Sequence, residues 1–102
     1  MTAYNAVRFK VKSGKEKDFE DRHRRRLEDM PGFLGGGLVK TGDRTYCLIG
    51  HWKDFDAIVA ARPKMIPILD EMRDLLEDLG GGLGVSDPVS GSTVVEFPAS
   101  RT

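Results

Sequence analysis

Few residues here are of a type that could do chemistry. Asn5 is a polar side chain on a stretch whose alternate members are Val7, Phe9 and Val11. A buried amide needs hydrogen-bond partners. Asn5 therefore reads either as a cavity donor that orients a carbonyl or oxygen intermediate, or as an edge residue satisfied by backbone or water. His23 stands between Phe19 and Leu27 at helical spacing. An imidazole, with a reference pKa of about 6.5, can move a proton near neutral pH; the same position also suits a satisfied core or interface histidine. Asn5 and His23 are the candidate catalytic residues. Phe9, Tyr46, Trp52 and Met72 are the candidate substrate-binding residues: two aromatic walls, a phenol and an adaptable thioether. Trp52 fits a cavity wall and a packed dimer core equally well, and Tyr46 suits hairpin or interface packing as readily as a ligand contact.

Other reactive types carry less. His51 has the opposite strand parity to Trp52, so the two cannot enter one pocket. Cys47 lies mid-strand between Tyr46 and Leu48 and reads as a small, unreactive hydrophobe. Two histidines without HxxxH spacing and one cysteine argue against a metal site. No nucleophile–base pair or carboxylate dyad is legible. The run Arg22-His23-Arg24-Arg25-Arg26 suggests nucleic acid, but Asp18, Glu20 and Asp21 precede Arg22, Arg24 and Arg25 by four residues each. Such pairs neutralise a solvated helix face. The glycine clusters lack the Lys-Ser/Thr follower and the GxGxxG spacing of phosphate loops.

The elements that must position these residues follow from periodicity. Tyr4 to Val11 alternates as a half-buried strand. Ser13 and Glu16 form a capping-box pattern, which predicts a helix from about Gly14 to Met30, ended by Pro31-Gly32. Phe33 to Lys40 is a strand interrupted by Gly35-Gly36-Gly37. Thr41 to Arg44 is a hairpin turn, and Thr45 to Trp52 is a strand rich in β-formers. Asp54 caps a short helix to about Ala61, which Pro63 and Pro67 break or re-aim. A second segment, from Pro67 to Leu79, carries the stripe Ile68, Leu69, Met72, Leu75, Leu76, Leu79. The last strand is placed at Ser92 to Phe97. The order βαββαβ predicts an α+β, ferredoxin-like fold, with an antiparallel sheet and both helices on one face.

The chain has 102 residues, 16 basic and 16 acidic, for no formal net charge. That predicts one domain over 1–98 with a flexible tail at 99–102. It offers no field to steer the chain onto nucleic acid or an anionic membrane. No apolar run is long enough to span a bilayer, and no secretory leader is legible. With a single cysteine, a cytoplasmic location is expected. Helices cover one sheet face only. Yet strand three is apolar at both parities (Tyr46, Leu48 and Trp52 against Cys47 and Ile49), and Val94 and Val95 lie on opposite faces of the last strand. A strand apolar on both sides is buried on both sides, which predicts a homodimer with sheets packed face to face.

These residues together resemble the antibiotic-biosynthesis-monooxygenase-like family of dimeric α/β barrels. The resemblance rests on the strand Tyr4-Asn5-Ala6-Val7-Arg8-Phe9-Lys10-Val11, the helix lead-in Lys12-Ser13-Gly14-Lys15-Glu16, Pro31-Gly32-Phe33-Leu34-Gly35, Trp52 closing strand three, and Asp87-Pro88-Val89-Ser90-Gly91. It implies a ferredoxin-like dimer with a small apolar cavity between sheet and helices. It further implies cofactor-independent oxygenation of a small aromatic or quinol-like substrate, or non-catalytic binding of such a molecule. Asn5 sits where the family's haem-degrading branch carries a cavity Asn. That branch's Trp and His positions fall here near Ala61 and near Asp70 or Glu71, which disfavours haem. The histidines of quinol-oxygenase-like members have no counterpart in Ala60-Ala61-Arg62-Pro63-Lys64-Met65.

Overall fold

The computed structural model describes residues 1–24 and 30–99. Over these residues the chain forms strand β1 (Ala3–Lys10), helix α1 (Glu16–Arg24), strands β2 (Phe33–Gly42) and β3 (Thr45–Trp52), helix α2 (Phe55–Met72) and strand β4 (Asp87–Ser92). The sheet order is β2-β3-β1-β4, and every neighbouring pair is antiparallel. This is the α+β, ferredoxin-like arrangement that the order of elements predicts.

Alternation in β1 decides which face meets the helices. Ala3 and Phe9 are buried and Asn5 and Val7 partly so, whereas Tyr4 and Arg8 are exposed. In β3 the buried set is Tyr46, Gly50 and Trp52. Two apolar clusters result. One gathers Phe9, Val11, Phe19, Tyr46, Met72, Leu75 and Leu76 at one end of the sheet; the other gathers Ala3, Trp52, Ala57, Ile58 and Ala61 at the opposite end. Phe19 is the hinge pin of the first, with its ring 5.6 Å from Phe9 and 5.0 Å from Tyr46. Burying such a side chain contributes roughly 1.5–3 kcal/mol.

The predicted helix start needs correction. Gly14 takes a left-handed φ of 79°, α1 begins at Glu16, and Glu16 Oε1 accepts from the Gly14 N–H at 3.0 Å. The turn from Lys12 to Lys15 closes through its own backbone bond, so the glutamate serves Gly14 rather than Ser13. The predicted continuation of this helix, including Leu27 and the Asp21–Arg25 pair, lies partly outside the described residues. The pairs Asp18–Arg22 (3.3 Å) and Glu20–Arg24 (3.5 Å) form on its solvent face.

The second helix also differs from its prediction. It runs unbroken through Pro63 and Pro67. Val59, Pro63 and Pro67 are spaced by four and are all exposed, so they share a solvent stripe. Water there can satisfy the carbonyls that lack a proline N–H partner. The opposite face buries Ala57, Ile58, Ala61 and Met72, and this tertiary packing overrides the local breakers. Asp54 caps the helix as expected, accepting from the Ala57 N–H at 2.8 Å. Beyond Met72 the stripe leaves the helix. Leu75 ends a single 3-10 turn, and Leu76 bridges to Val11 in an isolated antiparallel pair.

The last strand lies earlier than its composition suggests. Asp87–Ser92 pairs with β1, and Asp87 forms an ion pair with Arg8 at the matching register position. Pro88 is tolerated because β4 is an edge strand with one unpaired side. The β-rich residues Val94, Val95 and Phe97 fall beyond it and are exposed.

Candidate active site

A cavity of about 720 Å³ lies between the helix-facing side of the sheet and α2. Asn5, Val7 and Phe9 of β1 and Leu48, Gly50 and Trp52 of β3 form its floor. Ile58, Met65, Leu69 and Met72 of α2 form its roof, His23 of α1 closes one part, and Ser90 of β4 lies on a side wall. These positions follow from parity on the strands and from i, i+4 and i+3 spacing on the helix. The lining is mostly apolar with a few polar groups, which is the usual make-up of a small-molecule site.

Asn5 is the best-defined polar group. Trp52 Nε1 donates to Asn5 Oδ1 at 2.8 Å. An indole N–H can only donate, so the amide oxygen is committed to it and the amide NH₂ is what Asn5 offers the cavity. Gly50 permits this bond. It pairs with Asn5 across the sheet, and a Cβ there would sit 2.3 Å from Asn5 Oδ1 and 2.8 Å from Trp52 Nε1. Phe33 packs edge-on against Trp52 at 4.9 Å between ring centroids, fixing the other side of the indole.

His23 Nδ1 lies 2.9 Å from the Phe19 carbonyl oxygen. A carbonyl only accepts, so Nδ1 carries a proton in this contact. Phe19 packs against the imidazole at 4.6 Å.

Of the six residues singled out from sequence, Asn5, His23, Phe9, Trp52 and Met72 line one cavity. Tyr46 does not join them. It is buried in the first apolar cluster, and its hydroxyl donates to Glu20 Oε2 at 2.6 Å. Burial first, and then Glu20 as acceptor and neighbouring charge, raises its pKa from 10.0 to about 12. His51 points to the other sheet face and stacks on Tyr4 at 4.5 Å, as parity requires. Cys47 is half-buried on that same face.

Of the cavity residues that the sequence reading did not single out, two had left a signal. Gly50 is a glycine within a strand otherwise rich in β-formers, a mark of close approach. Arg62 lines the cavity as a charge inside the helical apolar series Ile58, Met65, Leu69, Met72.

The site and the βαββαβ sheet define a class: a small α+β domain with an open, largely apolar pocket over one sheet face. The family profile for antibiotic biosynthesis monooxygenases matches residues 2–63. The chain belongs to the antibiotic biosynthesis monooxygenase family. Its fold matches SnoaB, a cofactor-independent oxygenase from Streptomyces nogalater, at 24% identity over 96% of this chain and 98% of that one, with a TM-score of 0.72. It matches a protein of unknown function from Nitrosomonas europaea at 16% identity over 97% and 96%, with a TM-score of 0.72. It also matches the haem degrader MhuD from Mycobacterium tuberculosis at 20% identity over 94% and 99%, with a TM-score of 0.62. No curated protein matches the sequence significantly.

The positions at which the resemblance implies a Trp and a His are Ala61, which is buried, and Asp70 or Glu71, which are exposed and outside the cavity lining.

Proposed function

We propose that the cavity binds a small aromatic, quinol-like molecule and that the protein oxygenates it with molecular oxygen, the substrate supplying both electrons. The observation that carries this reading is the Asn5–Trp52 pair, which aims amide N–H donors into an apolar pocket beside an aromatic wall. In this chemistry the substrate first gives a proton to His23 Nε2. The resulting anion reacts with O₂, and a carbon–oxygen bond forms. The peroxide anion takes the proton back from His23, and the hydroperoxide then loses water, so a ring C–H becomes C=O, one oxygen atom stays on carbon and the other leaves in water. Asn5 holds the substrate oxygen on which negative charge collects, and Trp52 and Phe9 wall the ring.

The test is oxygen uptake by the purified protein with dihydroxynaphthalene substrates. Uptake above the protein-free rate is expected, with a loss of about 10²-fold or more in Asn5→Ala, the scale on which a single oriented donor acts. Uptake no faster than background would overturn the enzyme reading. It would leave the second reading, a binding protein that uses the same cavity without turnover. That alternative is favoured by one feature: His23 and Arg62 are the only titratable side chains in the described lining.

The same reading makes the protein a homodimer. Tyr4, Val39, Ile49 and Val89 are exposed apolar side chains on the sheet. Parity puts them on the face the helices leave bare, and a second copy of that face is its natural cover.

A further inference from the structure

Resting on the reading of the cavity as a ligand site, we propose that Arg62 selects ligands bearing an anionic group, so that the bound aromatic molecule carries a carboxylate or an ionised phenol at the cavity mouth. The first support is where the charges meet. Among the described residues, Arg8, Arg22, Arg24, Arg44 and Arg73 each meet a carboxylate, at Asp87, Asp18, Asp21, Glu77 and Asp70 respectively. Arg62 is the described arginine that meets no described carboxylate. Its guanidinium instead lies over the Phe55 ring at 5.7 Å, and its Nη2 donates to Ser90 Oγ at 3.4 Å.

These contacts hold the group in place without neutralising it. A ring face orients a guanidinium but brings no counter-charge. A 3.4 Å bond to a hydroxyl is long and readily exchanged for a better acceptor. Ser90 accepts that bond, so its own hydroxyl proton stays available to the same anion. The described lining contains no Asp or Glu. The mouth between α2 and β4 is therefore a positive end on an apolar hollow. Guanidinium presents paired N–H donors that match a carboxylate.

The experiment is calorimetric titration with two ligands of nearly equal shape, 2-naphthoate and 2-naphthamide. They are compared on the native chain, Arg62→Met and Arg62→Lys. The native protein should bind the naphthoate about tenfold more tightly than the amide, and added salt should erode that advantage. Arg62→Met keeps an apolar stem and should bring the naphthoate down to the amide's affinity without moving the amide. Arg62→Lys should retain part of the preference. Equal affinities in the native protein, or equal weakening of both ligands by Arg62→Met, would overturn the selection by Arg62 while leaving the ligand site standing. Binding of neither ligand would overturn both.

Discussion

Single residues decide whether the pocket floor exists. Gly50 lies under the bond between Asn5 and Trp52, where a methyl group would overlap both atoms of the hydrogen bond. Gly50→Ala should therefore lower stability by about 1–3 kcal/mol through overpacking. It should also shift the emission of the sole tryptophan, which urea melts followed by fluorescence would register together. Tyr46 works at the far end of the core and serves folding. Tyr46→Phe removes one bond to Glu20 and should reduce stability by about 1 kcal/mol at neutral pH. Its raised pKa gives a second signature. Between 10.0 and about 12 the unfolded chain has released a proton that the folded chain keeps, so stability falls as pH rises across that window. Thermal melts should show the decline in the native protein and a shallower one in Tyr46→Phe. Among the candidate residues, Asn5 and Phe9 were legible because strand parity places them on the helix side, whereas strand three is apolar at both parities and left Trp52 between cavity wall and dimer core until the fold set it beside Asn5. Tyr46 shares the parity of Trp52, yet it sits six residues away along the strand, under Phe19 rather than over the pocket. Alternation gives a face and says nothing of depth along it.

Elements obey local rules until packing overrules them. β1, β2 and β3 were readable because alternation and the turn at Thr41 to Arg44 agree with the sheet they join. Proline chemistry predicted a break in α2 that the fold does not make, because both prolines lie on the solvent stripe while the opposite face is buried. Pro63→Ala restores an N–H donor to Val59 on that stripe, and it should raise the denaturation midpoint, with a gain of about 1–3 kcal/mol in chemical melts. A loss of stability would mean that the packing of α2 requires the proline geometry. The last strand was misplaced for a different reason. Val94 and Val95 have high strand propensity, but propensity does not bring a partner. The segment Asp87–Ser92 instead finds β1 over six register pairs between residues far apart in sequence. Arg62 was missed on similar grounds, since what marks it is its place over Phe55 and beside Ser90 at the pocket mouth, which only the assembled fold displays.

At the scale of the whole molecule, one sheet carries two unlike faces. The helix side encloses the pocket, and the bare side leaves Val39 and Ile49 in contact with water. Light scattering should give twice the monomer mass. Val39→Glu, outside the cavity lining, should shift the population toward monomer by placing a charge in the apolar cover. A monomeric native chain at micromolar concentration would remove the dimer from this picture. The pocket itself has a more direct reporter. The chain has one tryptophan, so its indole N–H gives a single side-chain indole resonance in a proton–nitrogen correlation spectrum. That N–H is bound to Asn5 within the cavity. Titration with a dihydroxynaphthalene in the absence of oxygen should move this resonance saturably in the native protein. In Asn5→Ala it should start from a different position. An indole signal that stays fixed up to millimolar ligand would show that the hollow beneath α2 takes no such molecule.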